Sequence, residues 1–138
     1  MNEFRFRVLL LAYFVSVVAT VVIGVSEIGY PPELVAAYAG LPEPAILSSN
    51  PIALVLLALT LLLSMFAGLL GLFLFKPWGR LLSLASTVAA LLLVPFLGPT
   101  LTSPMEDLFG DLASLLLGCA LGLAYFSPLR ARFETQAT

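Results

Sequence analysis

Residues 50–80 read NPIALVLLALTLLLSMFAGLLGLFLFKPWGR. Asn50 followed by Pro51 is a helix start: asparagine caps free amide groups, and proline fits the first helical position. The next twenty-four residues, 52–75, carry no charge. As a helix they extend about 36 Å, more than the roughly 30 Å hydrocarbon core of a bilayer, so the helix is expected to tilt or protrude. Lys76-Pro77-Trp78-Gly79-Arg80 then reads as a tight turn. Pro77 and Gly79 break the helix, Trp78 suits an interface, and the two cations fix the side.

Three further apolar segments flank this one, giving spans at about 8–25, 51–75, 81–98 and 104–126 in a single transmembrane domain. Pro95 removes a hydrogen bond from the third, so a kink or early end is expected there, before a Gly98-Pro99 stop. Ser103-Pro104-Met105-Glu106 has the pattern of a capping box and opens the fourth; Ser127-Pro128 closes it.

All six basic residues fall at alternate ends of these segments: Arg5 and Arg7, then Lys76 and Arg80, then Arg130 and Arg132. Six of the eight acids, Glu27, Glu33, Glu43, Glu106, Asp107 and Asp111, lie in or beside the other two loops. Cytosolic loops retain Lys and Arg, so both termini are expected in the cytosol and the basic residues, with Trp78, serve as interfacial anchors. Phe4 and Phe6, alternating with Arg5 and Arg7, suit rings at the headgroups. The first apolar run, about eighteen residues, exceeds the usual signal-peptide core, which favours an uncleaved span.

Composition agrees. Of 138 residues, 61% are hydrophobic and 10% charged, too few charges to cover a soluble domain of this size. Mean hydropathy is +1.11. Three small basic pairs do not make a nucleic-acid face, so no nucleic-acid partner is expected and the first partners are membrane lipids.

The one long loop, residues 26–50, is broken at Tyr30-Pro31-Pro32. Residues 32–39 suit a short interfacial helix with Gly40 as its cap and Pro42 beyond, Leu34, Val35 and Tyr38 sharing a face; a Pro-rich loop without stable helix is the alternative.

Each apolar segment carries a stripe of small or weakly polar residues. The stripes are Tyr13, Ser16, Thr20, Gly24 and Glu27; Thr60, Ser64, Gly68 and Gly71; Ser83, Ser86 or Thr87, and Ala90; and Gly110, Ser114, Gly118 and Gly122, with Tyr125 nearby. Steps of three or four keep each stripe on one helix face. Lipid tails give helices no hydrophobic drive to associate, so small residues that allow close approach matter more. The candidate association face therefore comprises Ser114, Gly118, Gly122, Ser16, Thr20, Gly24, Gly68 and Gly71. Packing within the chain, a seam between chains and the lining of a polar path all remain open; for Gly118-x-x-x-Gly122 the first two stand level.

Asp111 is the acid placed to reach the membrane region, about 22 Å above Phe126 along the helix, and is the candidate ion-path residue. Glu106, Asp107 and Asp111 also sit where a positive helix end favours acids, which is a structural reason for their presence.

Elimination removes much chemistry. The chain has no His and a single cysteine, Cys119, so intrachain disulfide, Cys-x-x-Cys redox and imidazole haem ligation are unexpected, and no metal or cofactor is expected. No nucleophile and base can be assembled, so no enzyme is expected. The chain resembles small multidrug exporters in size and four-span layout, but these need a membrane-embedded Glu in the first helix, and residues 13–20 contain none.

Phe75-Lys76-Pro77-Trp78-Gly79-Arg80, followed by a third span and Tyr125-Phe126-Ser127-Pro128-Leu129, resembles small uncharacterised bacterial four-helix inner-membrane proteins. That resemblance implies an inner-membrane location and carries no activity. The expected fold is an all-α, integral membrane four-helix bundle. The expected role is non-enzymatic association, as a homo-oligomer or as an accessory subunit of a membrane complex. The alternatives are a small homo-oligomeric channel or transporter and a lipid-interacting accessory protein.

Overall fold

The computed structural model of the chain describes residues 3–26, 29–41, 50–97 and 100–135. They form helices α1 (Glu3–Val25), α2 (Pro32–Ala39), α3 (Pro51–Phe73), α4 (Pro77–Leu93), α5 (Pro104–Phe126) and α6 (Arg130–Thr135), with a 3-10 turn at Val94–Phe96 and no strand among the described residues. Four helical stretches, Glu3–Val25, Ile52–Phe73, Pro77–Phe96 and Pro104–Phe126, are long and apolar enough to cross a membrane, which fits a membrane protein. Glu27, Glu43, Pro42 and the Gly98-Pro99 stop lie outside the described residues.

The helix starts follow their capping residues. Asn50 accepts the Ala53 amide through Oδ1 at 3.3 Å, and Ser103 Oγ accepts the Glu106 amide at 3.2 Å. Proline stands in the first turn of α2, α3, α4 and α5, where its missing N–H costs nothing. Pro95 acts by termination: α4 ends at Leu93 and the chain tightens into the 3-10 turn. Gly40 caps α2 as expected, but in a right-handed conformation (φ −86°).

The reading of residues 76–80 as a tight turn needs correcting. Helix α3 closes in a Schellman turn, with Lys76 N–H donating to Gly71 O at 2.8 Å and Phe75 N–H to Leu72 O at 3.1 Å. Lys76 is already the N-cap of α4, so Trp78, Gly79 and Arg80 are helical. The left-handed position of this motif usually falls to glycine; here Phe75 takes it with φ 55°, at about 1–2 kcal/mol of strain. What offsets the strain is the ring, which packs 5.5 Å from Phe6 and 5.2 Å from Phe133.

The long helices form two antiparallel pairs, α1 with α5 and α3 with α4. On α1 the buried positions are Phe6, Leu10, Tyr13 and Ser16, a run of threes and fours that defines one helix face. Phe6 is therefore core, fully shielded, while Phe4 is 76% exposed. Alternation of Phe and Arg had suggested two equivalent headgroup rings; a helix turns residues two apart to different sides, and only Phe4 stays outside. The matching face of α5 is Ala113, Leu117, Ala120, Leu121 and Ala124.

Ser127-Pro128 ends α5, and the chain then forms α6, which the sequence reading did not anticipate. Leu129 and Phe133, four apart, are buried. Arg80 ties this end together. Its Nη1 donates to Ala124 O at 3.2 Å, one of the four carbonyls that α5 leaves unpaired. Its guanidinium lies 5.3 Å from the Tyr125 ring and 4.9 Å from that of Phe133, the stacking geometry guanidinium favours.

The contacts among Phe6, Phe75 and Phe133 gather the start of α1, the α3–α4 turn and α6 at one end. These segments carry all six cations. At the opposite end the Tyr30 hydroxyl donates to Glu106 Oε2 and to Leu101 O. Glu106 thus serves Tyr30, so the structure gives the serine half of the capping box and redirects the glutamate. The carboxylate beside it raises the Tyr30 phenol above its ordinary pKa, chiefly through that hydrogen bond. A raised folded value means the contact is fully present below the unfolded pKa of about 10 and weakens as pH climbs through the folded value. In Glu106→Gln the ultraviolet titration of Tyr30, followed in a variant retaining only this tyrosine, is expected to fall back toward the ordinary range.

Candidate functional site

The small-residue stripes separate into three groups. Gly68 and Gly71 close the α3–α4 pair. A Cβ added at Gly71 would meet Gly79 Cα at 2.5 Å, and one at Gly68 would meet Ser83 Oγ at 2.6 Å. Glycine is required here because backbone lies against backbone. Farther along, the Ser64 and Ser86 hydroxyls pair at 2.8 Å. Trp78 lies across Gly71, its ring 2.9 Å from that Cβ position.

The second group lies on α1. Ser16 is buried and donates to Ala12 O at 2.9 Å, and Thr20 donates to Ser16 O at 3.0 Å. Gly24 makes room for Glu106, whose Oε1 sits 2.9 Å from an added Cβ. Gly24 thus serves the α1–α5 pair, while Ser16 and Thr20 bond within α1.

The third group is open. Among the described residues, nothing lies within 4 Å of a Cβ added at Gly110, Gly118 or Gly122. Ser114 is exposed, and its hydroxyl turns back to Gly110 O at 3.0 Å. Four residues at four-residue spacing thus leave a shallow strip along α5, flanked by exposed Asp111, Leu115 and Cys119. Within the chain it is alanine that packs α5; glycine is left outward. A period of four fits both faces, which is why sequence alone left the two readings level.

Among the described residues, most stripe hydroxyls turn back to their own helices. Hydroxyls of Ser16, Thr20, Ser64, Ser86 and Thr87 bond to carbonyls three or four residues back. The central cavity between the pairs, lined by Tyr13, Met65, Leu69, Ser83, Thr87 and Leu117, measures about 10 Å³, at the lower limit for one water. Asp111 is exposed in the second turn of α5.

The anchors also divide. Arg130 binds Glu134 at 2.6 Å and Arg132 binds Glu3 at 3.1 Å. Arg7 lies over Phe73 and Phe75, 5.2 and 5.6 Å from the ring centres. Arg5 is exposed. Sequence reasoning missed Phe6, Phe75 and Phe133 as a cluster; the spacing of Phe6, Leu10 and Tyr13, and of Leu129 and Phe133, is the signal for two of the three.

No family model, curated protein or solved structure matches the chain.

Proposed function

We propose that this chain is a non-enzymatic, multi-pass protein of a bacterial inner membrane that acts through helix-mediated association. Its four long helices form a transmembrane bundle, both termini and the α3–α4 turn lie on the cytosolic side, and α2 rests on the outer surface. A helix of a second copy docks on the open strip of α5. The observation that carries this reading is the contrast among glycines: Gly68, Gly71 and Gly79 are filled by a neighbouring helix, whereas Gly118 and Gly122 have open space.

In lipid, exposed leucine is ordinary, but a helix–helix seam favours small residues. The gathering of six cations at one end supports the orientation. The channel alternative draws less support, because the hydroxyls of Ser16, Ser86 and Thr87 are bonded to backbone.

Orientation is tested by single-cysteine labelling on a Cys119→Ala background. A cysteine at Lys76 is expected to react only from the cytosolic side, and one at Thr102 only from outside. Outside labelling at Lys76 overturns the orientation. Association is tested by mass in lipid nanodiscs: Gly118→Leu is expected to lower the oligomeric mass while keeping wild-type helicity.

A further inference from the structure

The six cations do not all serve the same purpose. Arg80 is engaged with Ala124 O and two rings, and Arg130 with Glu134. Arg7, Lys76 and Arg132 instead converge, from α1, the α3–α4 turn and α6, on a recess of about 320 Å³ that Glu3, Leu74 and Phe75 complete.

Three cations thus face one carboxylate in that recess, and the carboxylate is already paired with Arg132. Lys76 uses its backbone amide in the Schellman turn, and its ammonium has no protein acceptor among the described residues. Arg7 stacks on Phe73 and Phe75, which orients the guanidinium plane while its N–H fork stays available. Phe75 lines the recess and holds the left-handed backbone described above; such strain concentrates at ligand clamps. Among the lining residues Leu74 is the exposed apolar one, at 54%.

We infer that this recess is a phosphate-binding site, and that its occupant is the phosphate headgroup of an anionic phospholipid. Three donors approaching from three elements match the spread oxygens of a tetrahedral phosphate better than a planar carboxylate, and arginine adds a two-pronged contact. The exposed Leu74 side chain offers an apolar contact for the start of an acyl chain. This inference is independent of the α5 strip, and its test needs no particular orientation in the membrane.

The test titrates the detergent-purified chain with dioleoyl phosphatidic acid, dioleoyl phosphatidylcholine and inorganic phosphate, read by native mass spectrometry. Phosphatidic acid is expected to bind at lower concentration than phosphatidylcholine, whose choline cation offsets the phosphate. Arg7→Gln with Lys76→Gln is expected to weaken phosphatidic acid binding roughly thirtyfold, each cation near a lipid surface being worth about a factor of five. Glu3→Gln, which releases Arg132, is expected to tighten it, and Arg130→Gln to leave it unchanged.

Inorganic phosphate that fails to displace the lipid supports a headgroup site; displacement keeps the phosphate site but overturns the lipid as its occupant. Wild-type affinity in the double variant, or an equal loss in Arg130→Gln, overturns the site itself. Should the double variant fail to fold, Glu3→Gln decides the matter: affinity equal to or below wild type overturns the proposal.

Discussion

Gly79→Leu is expected to separate α3 from α4 and cost more than about 3 kcal/mol, beyond the usual range for overpacking a core. A Cβ at this position would lie 2.3 Å from the Gly71 carbonyl carbon, 2.5 Å from Gly71 Cα and 2.6 Å from Leu72 N. All three are backbone atoms, so no side-chain rotation relieves the clash. The helices must move apart, and the Ser64–Ser86 hydrogen bond, 2.8 Å long, goes with them. Such an interhelical bond is itself worth only about 0.6 kcal/mol in lipid, so the backbone clash dominates. Gly118→Leu is the control, since no described residue occupies the space its side chain enters. Unfolding in a denaturing detergent series is expected to come much earlier for Gly79→Leu than for Gly118→Leu. Coincident curves for wild type and Gly79→Leu would remove the close-packed seam.

Phe133→Ala is expected to release α6 and cost about 3–5 kcal/mol, the range for removing a fully buried aromatic ring. The ring is completely shielded, lies 5.2 Å from Phe75 and 6.2 Å from Phe6, and carries the Arg80 guanidinium at 4.9 Å. Helix α6 is a single short element that cannot persist alone. The cluster lies at the end that carries all six cations, so a detached helix there meets water and the hydrophobic term returns. The readout is limited trypsin digestion at Arg130 and Arg132. Both bonds are expected to resist in wild type and to be cut rapidly in Phe133→Ala. Equal digestion of the two proteins would mean that α6 is not held by this ring.

Much of the helical architecture could be read before the structure, because its signals are local. Asn50-Pro51 and Ser103-Pro104 fixed two helix starts, Pro95 fixed an end, and long apolar runs fixed length. At residues 32–39 the structure takes the short helix of the two readings that Pro31-Pro32 and Gly40 left open. The α3–α4 turn was misjudged because Pro77 and Gly79 were read as breakers. Proline at a first helical position begins a helix, and Gly79 is small because Gly71 touches it, a long-range cause that no local pattern contains.

Aromatic residues gave the same difficulty. Phe6 resembled a headgroup anchor by its neighbours in sequence, yet Phe75 and Phe133, from distant parts of the chain, enclose it. Of the candidate face, the sequence identified the right residue types without the right partners. Ser16, Gly24, Gly68 and Gly71 serve contacts inside the chain, and only the α5 stripe remains outward. Four-residue spacing marks a face, and the partner of that face is decided by tertiary packing.

The most direct measurement uses Cys119, which is exposed beside the α5 strip. A maleimide-linked benzophenone attached there in native membranes and then illuminated captures whatever lies against this side of α5. The proposed association gives a discrete product of twice the chain mass in wild type, and its loss in Gly118→Leu. Monomer carrying only lipid adducts, in wild type and variant alike, would contradict the association on which the proposed function rests.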